Sequence, residues 1–97
     1  MANLYDIYAE LRAAGMPALE VLEFYAGGSV LSVCGANKPL PDAMARDMLS
    51  MHAIRWLGQP VQLAHATGWM LSIAGRQFEG TDPLACVLAA ARYRVTA

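Results

Sequence analysis

Charged residues are scarce in this sequence, and lysine is almost absent. Asp, Glu, Lys and Arg make up 15% of the 97 residues, compared with about 25% in a typical soluble domain. Lys38 is the only lysine, the arginines are scattered, and the formal net charge is −1. Contacts to phosphates require clustered Lys and Arg, so we expect no binding to nucleic acid.

The sequence also lacks a long apolar run. The longest, Leu84 to Ala91, is far shorter than the roughly 18–20 residues that span a bilayer. No positively charged amino end precedes an apolar block, so we expect no signal peptide, no membrane association and a cytoplasmic location.

Hydrophobic residues nevertheless make up 57% of the chain. A chain of this length is expected to form one α+β domain over residues 1–97, and a small domain buries only about 60–65% of the surface that its unfolded chain exposes. Part of the apolar excess should remain at the surface, where a partner would cover it. We therefore expect a homodimer or a complex with a foreign protein.

Residues that commonly carry chemistry are few. The spacing of Cys34, Cys86, His52 and His65 matches no zinc motif, and the glycines do not form a phosphate-binding loop. Cys34 would be a nucleophile if a histidine approached it, but no basic residue adjoins it to activate the thiol. We predict a non-catalytic protein without metal or cofactor. A small-molecule-binding oligomer and a cysteine-dependent enzyme using Cys34 are the alternatives.

The clearest structural pattern lies between residues 68 and 85. Trp69, Leu71 and Ile73 alternate with other residues, as a strand with one buried face requires. This predicts a strand over 69–78, with a turn or kink at Gly75, paired as a hairpin with a strand over 61–66. Asp82 can cap a final helix over 82–95.

The remaining elements follow from periodicity and from turn residues. Apolar spacing predicts helices over 3–14 and 42–57, and a stripe formed by Glu20 and Glu23 favours a helix over 17–26. Residues 29–34 favour a short strand. Two prolines make 35–41 a loop. The predicted fold is a small antiparallel sheet covered by these helices.

The helix over 42–57 carries the candidate binding surface. Apolar residues surround most of its circumference, although an arc of roughly 100° is enough to anchor a helix. The remainder, Met44, Met48 and Met51, should face outward or toward a second subunit, with Trp56 on the adjacent face. If these methionines belong to the core, the next candidates are Phe24 and Tyr25.

The last third of the chain carries the motif Trp69-x-x-Ser72-x-x-Gly75-x-x-Phe78-x-Gly80-Thr81-Asp82-Pro83-Leu84-Ala85. It resembles the closing strand and helix of small phage and prophage accessory proteins of the α/β/α-sandwich type. The resemblance implies a protein of a bacterial host cell with no catalytic residues. Inhibitors that block a host defence complex (anti-CRISPR-like proteins) are a frequent class among such proteins.

Overall fold

The chain forms three helices and six strands in a computed structural model that describes residues 3–33, 36–58, 61–65, 68–73 and 75–96. In chain order the elements are α1 (Leu4–Ala13), β1 (Leu22–Tyr25), β2 (Gly28–Val33), β3 (Ala36–Leu40), α2 (Asp42–Leu57), β4 (Val61–His65), β5 (Trp69–Ile73), β6 (Arg76–Gly80) and α3 (Pro83–Thr96). The predicted α+β class is confirmed. The helix over 42–57 has the predicted bounds, and those at 3–14 and 82–95 differ by a residue at each end.

The strands form two antiparallel sheets of three strands each. The N-terminal sheet has the order β1-β2-β3, and the C-terminal sheet has the order β4-β5-β6. The predicted hairpin is confirmed, since β4 pairs with β5 and Leu63 lies opposite Leu71. The predicted strand over 69–78 divides in two because the chain reverses at Gly75, whose φ is +80°.

The predicted helix over 17–26 is wrong, because residues 22–25 form β1. Leu22 is buried and the Phe24 ring stacks on Tyr8 at a centroid distance of 4.4 Å, whereas Glu23 and Tyr25 are exposed. The strand pairs with β2 through a two-residue turn, Ala26-Gly27. Gly28, the first residue of β2, has a φ of +147°. Tertiary packing of two alternate side chains has outweighed the weak helical pattern.

The predicted loop over 35–41 is also wrong over most of its length, because Ala36–Leu40 form β3. Pro39 lies opposite Val30 in the ladder. Proline has no N–H to donate, and it is tolerated here because β3 is an edge strand with one side unpaired. The predicted strand at 29–34 is confirmed as Gly28–Val33, and Cys34 lies outside the described residues.

Local sequence signals fix the helix ends. The Oδ1 atom of Asn3 accepts the Asp6 N–H at 2.9 Å, and Oδ1 of Asp82 accepts the Ala85 N–H at 2.8 Å. At the end of α1, Gly15 has a φ of +111° and the Met16 N–H bonds the Leu11 carbonyl at 3.1 Å. This Schellman ending buries Met16.

The core lies between the three helices and the C-terminal sheet. At the junction of β6 and α3 the backbones approach so closely that a Cβ on Gly80 would lie 2.7 Å from the Cβ of Ala85. Asp82 also accepts a hydrogen bond from the Arg46 guanidinium, which ties α2 to the start of α3. The buried cluster consists of Leu4, Ile7, Leu11, Met16, Ala45, Leu49, Ala53, Leu57, Leu71, Leu84, Cys86, Val87, Leu88, Ala90 and Ala91.

Candidate functional site

The outer face of α2 presents large apolar side chains to solvent. Met44 is 51% exposed and Met51 is 62% exposed, while Met48 beside them is half-buried. The opposite face anchors the helix through Ala45 and Leu49, which are fully buried. Met44 and Met51 therefore point outward as the helical wheel predicts, and Met48 lies at the edge of this face.

Two charged residues share the outer face of α2 with the methionines. Asp47 and Arg55 are both exposed and lie one helical turn before and one turn after Met51. Within the described part of the chain, neither side chain forms an ion pair. We call Met44, Asp47, Met48, Met51 and Arg55 the methionine face.

The other predicted interface residues lie elsewhere. Trp56 is half-buried against the core, and the guanidinium carbon of Arg94 lies 4.9 Å from the centre of its ring. Phe24 is held against Tyr8 of α1, and Tyr25 is exposed on β1. The structure thus places three of the six predicted residues on one surface. Of the other three, Trp56 and Phe24 pack against neighbouring side chains, and Tyr25 is exposed on β1.

The histidine and cysteine that the structure describes are engaged in packing. The Nε2–H of His52 donates a hydrogen bond to the Pro17 carbonyl at 2.8 Å. The thiol of Cys86 is buried and donates to the Trp69 carbonyl at 3.3 Å, and burial raises the pKa of this thiol. Cys34 and the side chain of His65 lie outside the described part of the structure.

No cluster of three or more His, Cys, Asp or Glu residues that could hold a metal ion occurs among the described residues. Within the same part of the chain, no helix is both long enough and apolar enough to cross a membrane. Comparisons with protein-family models, with characterised proteins and with solved structures give no match.

A pocket that the sequence did not predict lies between α3, the end of α2 and strands β5 and β6. Its volume is about 370 Å³. Its lining residues come from all four elements and comprise Leu57, Ile73, Arg76, Phe78, Ala90, Tyr93 and Arg94. Of these seven described residues, two are arginines and none is acidic. In the sequence Arg76 is one of several polar residues of β6, and nothing near it indicates a pocket.

Aromatic rings hold both pocket arginines in place. The guanidinium carbon of Arg76 lies 4.4 Å from the centre of the Tyr93 ring, within the range of a cation–π contact. Phe78 packs at a tilt against the same ring, with a centroid distance of 5.9 Å. Arg94 is positioned in the same way on Trp56. The pocket therefore combines an apolar lining with two fixed positive charges.

Proposed function

We propose that this chain is a non-catalytic protein-binding domain and that the methionine face of α2 is its binding surface. The supporting observation is that Met44 and Met51 hold large apolar side chains in solvent, on a helix already anchored by its opposite face. Thioether side chains repack at low cost, so they suit a surface that contacts another protein. The low charge content of the chain is consistent with such a role.

The charges on this face favour a second copy of the chain as the partner. Asp47 and Arg55 are placed symmetrically about Met51 along the helix. If two α2 helices pack antiparallel about a two-fold axis at Met51, Asp47 of each copy meets Arg55 of the other. The face is therefore complementary to itself in charge as well as in apolar character.

Replacing Met51 by lysine tests this surface directly. Lysine and methionine have similar helix propensities, so the helix should persist. Truncating one buried interface side chain costs about 1–2 kcal/mol, and a symmetric dimer loses it twice, so dimerisation should weaken more than about tenfold. Sedimentation of the wild type and of Met51→Lys at tens of micromolar measures the change. Tyr5→Lys, which alters an exposed apolar residue on α1, is the matched control and should dimerise normally.

Charge reversal tests the proposed orientation of the two helices. Asp47→Arg alone and Arg55→Asp alone should each weaken dimerisation, because each places like charges opposite one another. The double variant Asp47→Arg/Arg55→Asp restores opposite charges and should regain most of the affinity. A double variant that dimerises no better than the single variants would exclude the antiparallel arrangement.

The resemblance to phage and prophage accessory proteins gives a second version of the same proposal. In that version the methionine face binds a host defence complex and the chain acts as an anti-CRISPR-like inhibitor. The test is to express the chain in bacteria whose CRISPR system destroys an incoming plasmid. Recovery of the plasmid with the wild type but not with Met51→Lys would support inhibition through this face. Destruction of the plasmid in cells expressing the wild type would remove the inhibitor role and leave the dimer proposal unaffected.

A further inference from the structure

The pocket between α3 and the C-terminal sheet has the features of a ligand site that is independent of the methionine face. The two surfaces share no residue. A cavity of about 150 Å³ accepts a benzene ring, so a pocket of about 370 Å³ has room for a body of two fused rings. It also falls within the range of about 300–1,000 Å³ that is usual for small-molecule sites.

Burial defines an inner and an outer part of this pocket. Leu57 and Ala90 are buried and form its apolar floor, whereas Arg76, Tyr93 and Arg94 are exposed and lie at its mouth. A ligand that fills the pocket would therefore place its apolar body inside and its polar group between the two guanidinium groups. This arrangement favours a molecule that is apolar at one end and anionic at the other.

The guanidinium groups of the two pocket arginines have N–H donors available for an anion. Neither Arg76 nor Arg94 forms an ion pair with a carboxylate among the described residues, and the guanidinium carbon of each lies over an aromatic ring. A guanidinium carries five N–H donors, and a contact with a ring uses none of them as a hydrogen bond to an anion. The nearest acid along β6, Glu79, lies on the opposite face of the strand, because side chains alternate. No carboxylate among the described lining residues would therefore compete with an anion for the two guanidinium groups.

We propose that this pocket binds a small carboxylate with a flat apolar body of about two rings. The carboxylate accepts hydrogen bonds from Arg76 and Arg94, and the rings lie against Phe78 and the aliphatic floor. A single carboxylate matches a lining whose two cationic groups stand among aliphatic and aromatic side chains, whereas a phosphate monoester would leave acceptor oxygens facing apolar surface.

The test uses 2-naphthoate as the probe and 2-naphthalenemethanol as its neutral counterpart. The two are titrated into the ¹⁵N-labelled protein, and the shifts of the backbone amides are followed. We expect 2-naphthoate to shift the amides of Ile73, Phe78 and Ala90, and to bind about tenfold more tightly than the alcohol, because charge-assisted hydrogen bonds are involved. Equal affinity of the two compounds, shifts elsewhere on the protein, or no binding below about 1 mM would overturn the proposal.

Variants test whether Arg76 and Arg94 are responsible for the preference for the carboxylate. Arg76→Met and Arg94→Met should each reduce the affinity for 2-naphthoate about tenfold and leave binding of the alcohol unchanged. Lys38→Met, which removes an exposed positive charge outside both the pocket and the methionine face, is the matched control. If a methionine variant fails to fold, Arg76→Lys keeps the positive charge but loses the planar fork, and it should still weaken binding. Loss of affinity in Lys38→Met equal to that in the pocket variants would indicate attraction by overall charge and would contradict the site.

Discussion

The two sheets have the same connectivity and very different surroundings. Each is a three-stranded antiparallel meander, and a leucine occupies the middle of each central strand. Leu71 in β5 is fully buried, with α3 packed on its sheet, whereas Leu31 in β2 is only half-buried. In the N-terminal sheet even the buried Ser29 hydroxyl has no hydrogen-bond partner among the described residues. The same backbone arrangement therefore contributes unequally to stability.

This difference indicates where the stable unit of the fold lies. We infer that the three helices and the C-terminal sheet form it, and that the N-terminal sheet is attached through a smaller apolar contact with α1 and α2. Both candidate surfaces, the methionine face and the pocket, belong to the stable unit. The backbone of both surfaces is thus held in place before a partner or ligand arrives, which lowers the ordering cost of binding.

The largest expected effect is on the free energy of unfolding, when the leucine at the centre of each sheet is replaced by alanine. Leu71→Ala should lower the free energy of unfolding by about 2–5 kcal/mol, because it opens a cavity in the core. Leu31→Ala should cost about 1 kcal/mol or less, since its site is partly open to solvent. Urea unfolding of both variants measures the difference. Equal losses would show that the two sheets are equally important to the core.

A smaller effect is expected where β6 meets α3. Gly80→Ala should cost about 1–3 kcal/mol, because the new methyl group would overlap Ala85 and the Cys86 backbone nitrogen at 2.7 and 2.9 Å. Gly27→Ala, in the turn of the N-terminal sheet, is the matched substitution. Its methyl group would meet the Tyr25 ring at 3.4 Å, and it should be neutral or slightly stabilising. Thermal unfolding of both variants measures the difference. A Gly80→Ala variant as stable as Gly27→Ala would mean that the junction is loosely packed.

The smallest effect concerns pH and the ion pair that joins α1 to α3. The Arg92 Nε–H and Nη2–H donate to the Glu10 carboxylate at 2.5 and 3.0 Å, and this contact lowers the pKa of Glu10 below its usual 4.5. A lowered pKa in the folded state means that the pair stabilises the protein above about pH 4.5 and is lost as the pH falls further. The contribution should be under about 1 kcal/mol, because both side chains are largely exposed.

Glu10→Gln should therefore flatten the acid side of the stability profile. Glu23→Gln, on the exposed side of β1, is the control, because Glu23 forms no ion pair in the described part of the chain. Its profile gives the effect of removing one carboxylate without breaking a salt bridge. Identical profiles for the two variants would mean that the Glu10–Arg92 pair contributes nothing measurable.

The contrast between the sheets also explains which elements could be predicted from the sequence. Trp69, Leu71 and Ile73 alternate because one face of β5 is covered by α3, and such burial leaves a clear pattern. In β1 the alternation lasts for only four residues, with Leu22 and Phe24 inward, and this is too short to distinguish from part of a helix. A strand with little buried surface leaves little trace in its sequence.

The candidate surfaces differ in the same way. The positions of Met44 and Met51 follow from the periodicity of one helix, so the sequence was sufficient to place them outside the core. The pocket depends on bringing Arg76 of β6 beside Tyr93 and Arg94 of α3, which requires the packing of the helix on the sheet. No local pattern contains that information.

Native-state hydrogen exchange gives the most direct test of the inequality between the two sheets. The amides of β5 should exchange only through global unfolding, with an opening free energy equal to that from urea unfolding. The amides of β2, although equally hydrogen-bonded in their own ladder, should exchange through a local opening of lower free energy that leaves the C-terminal sheet intact. Equal opening free energies for β2 and β5 would contradict the division into a stable unit and a weakly attached sheet.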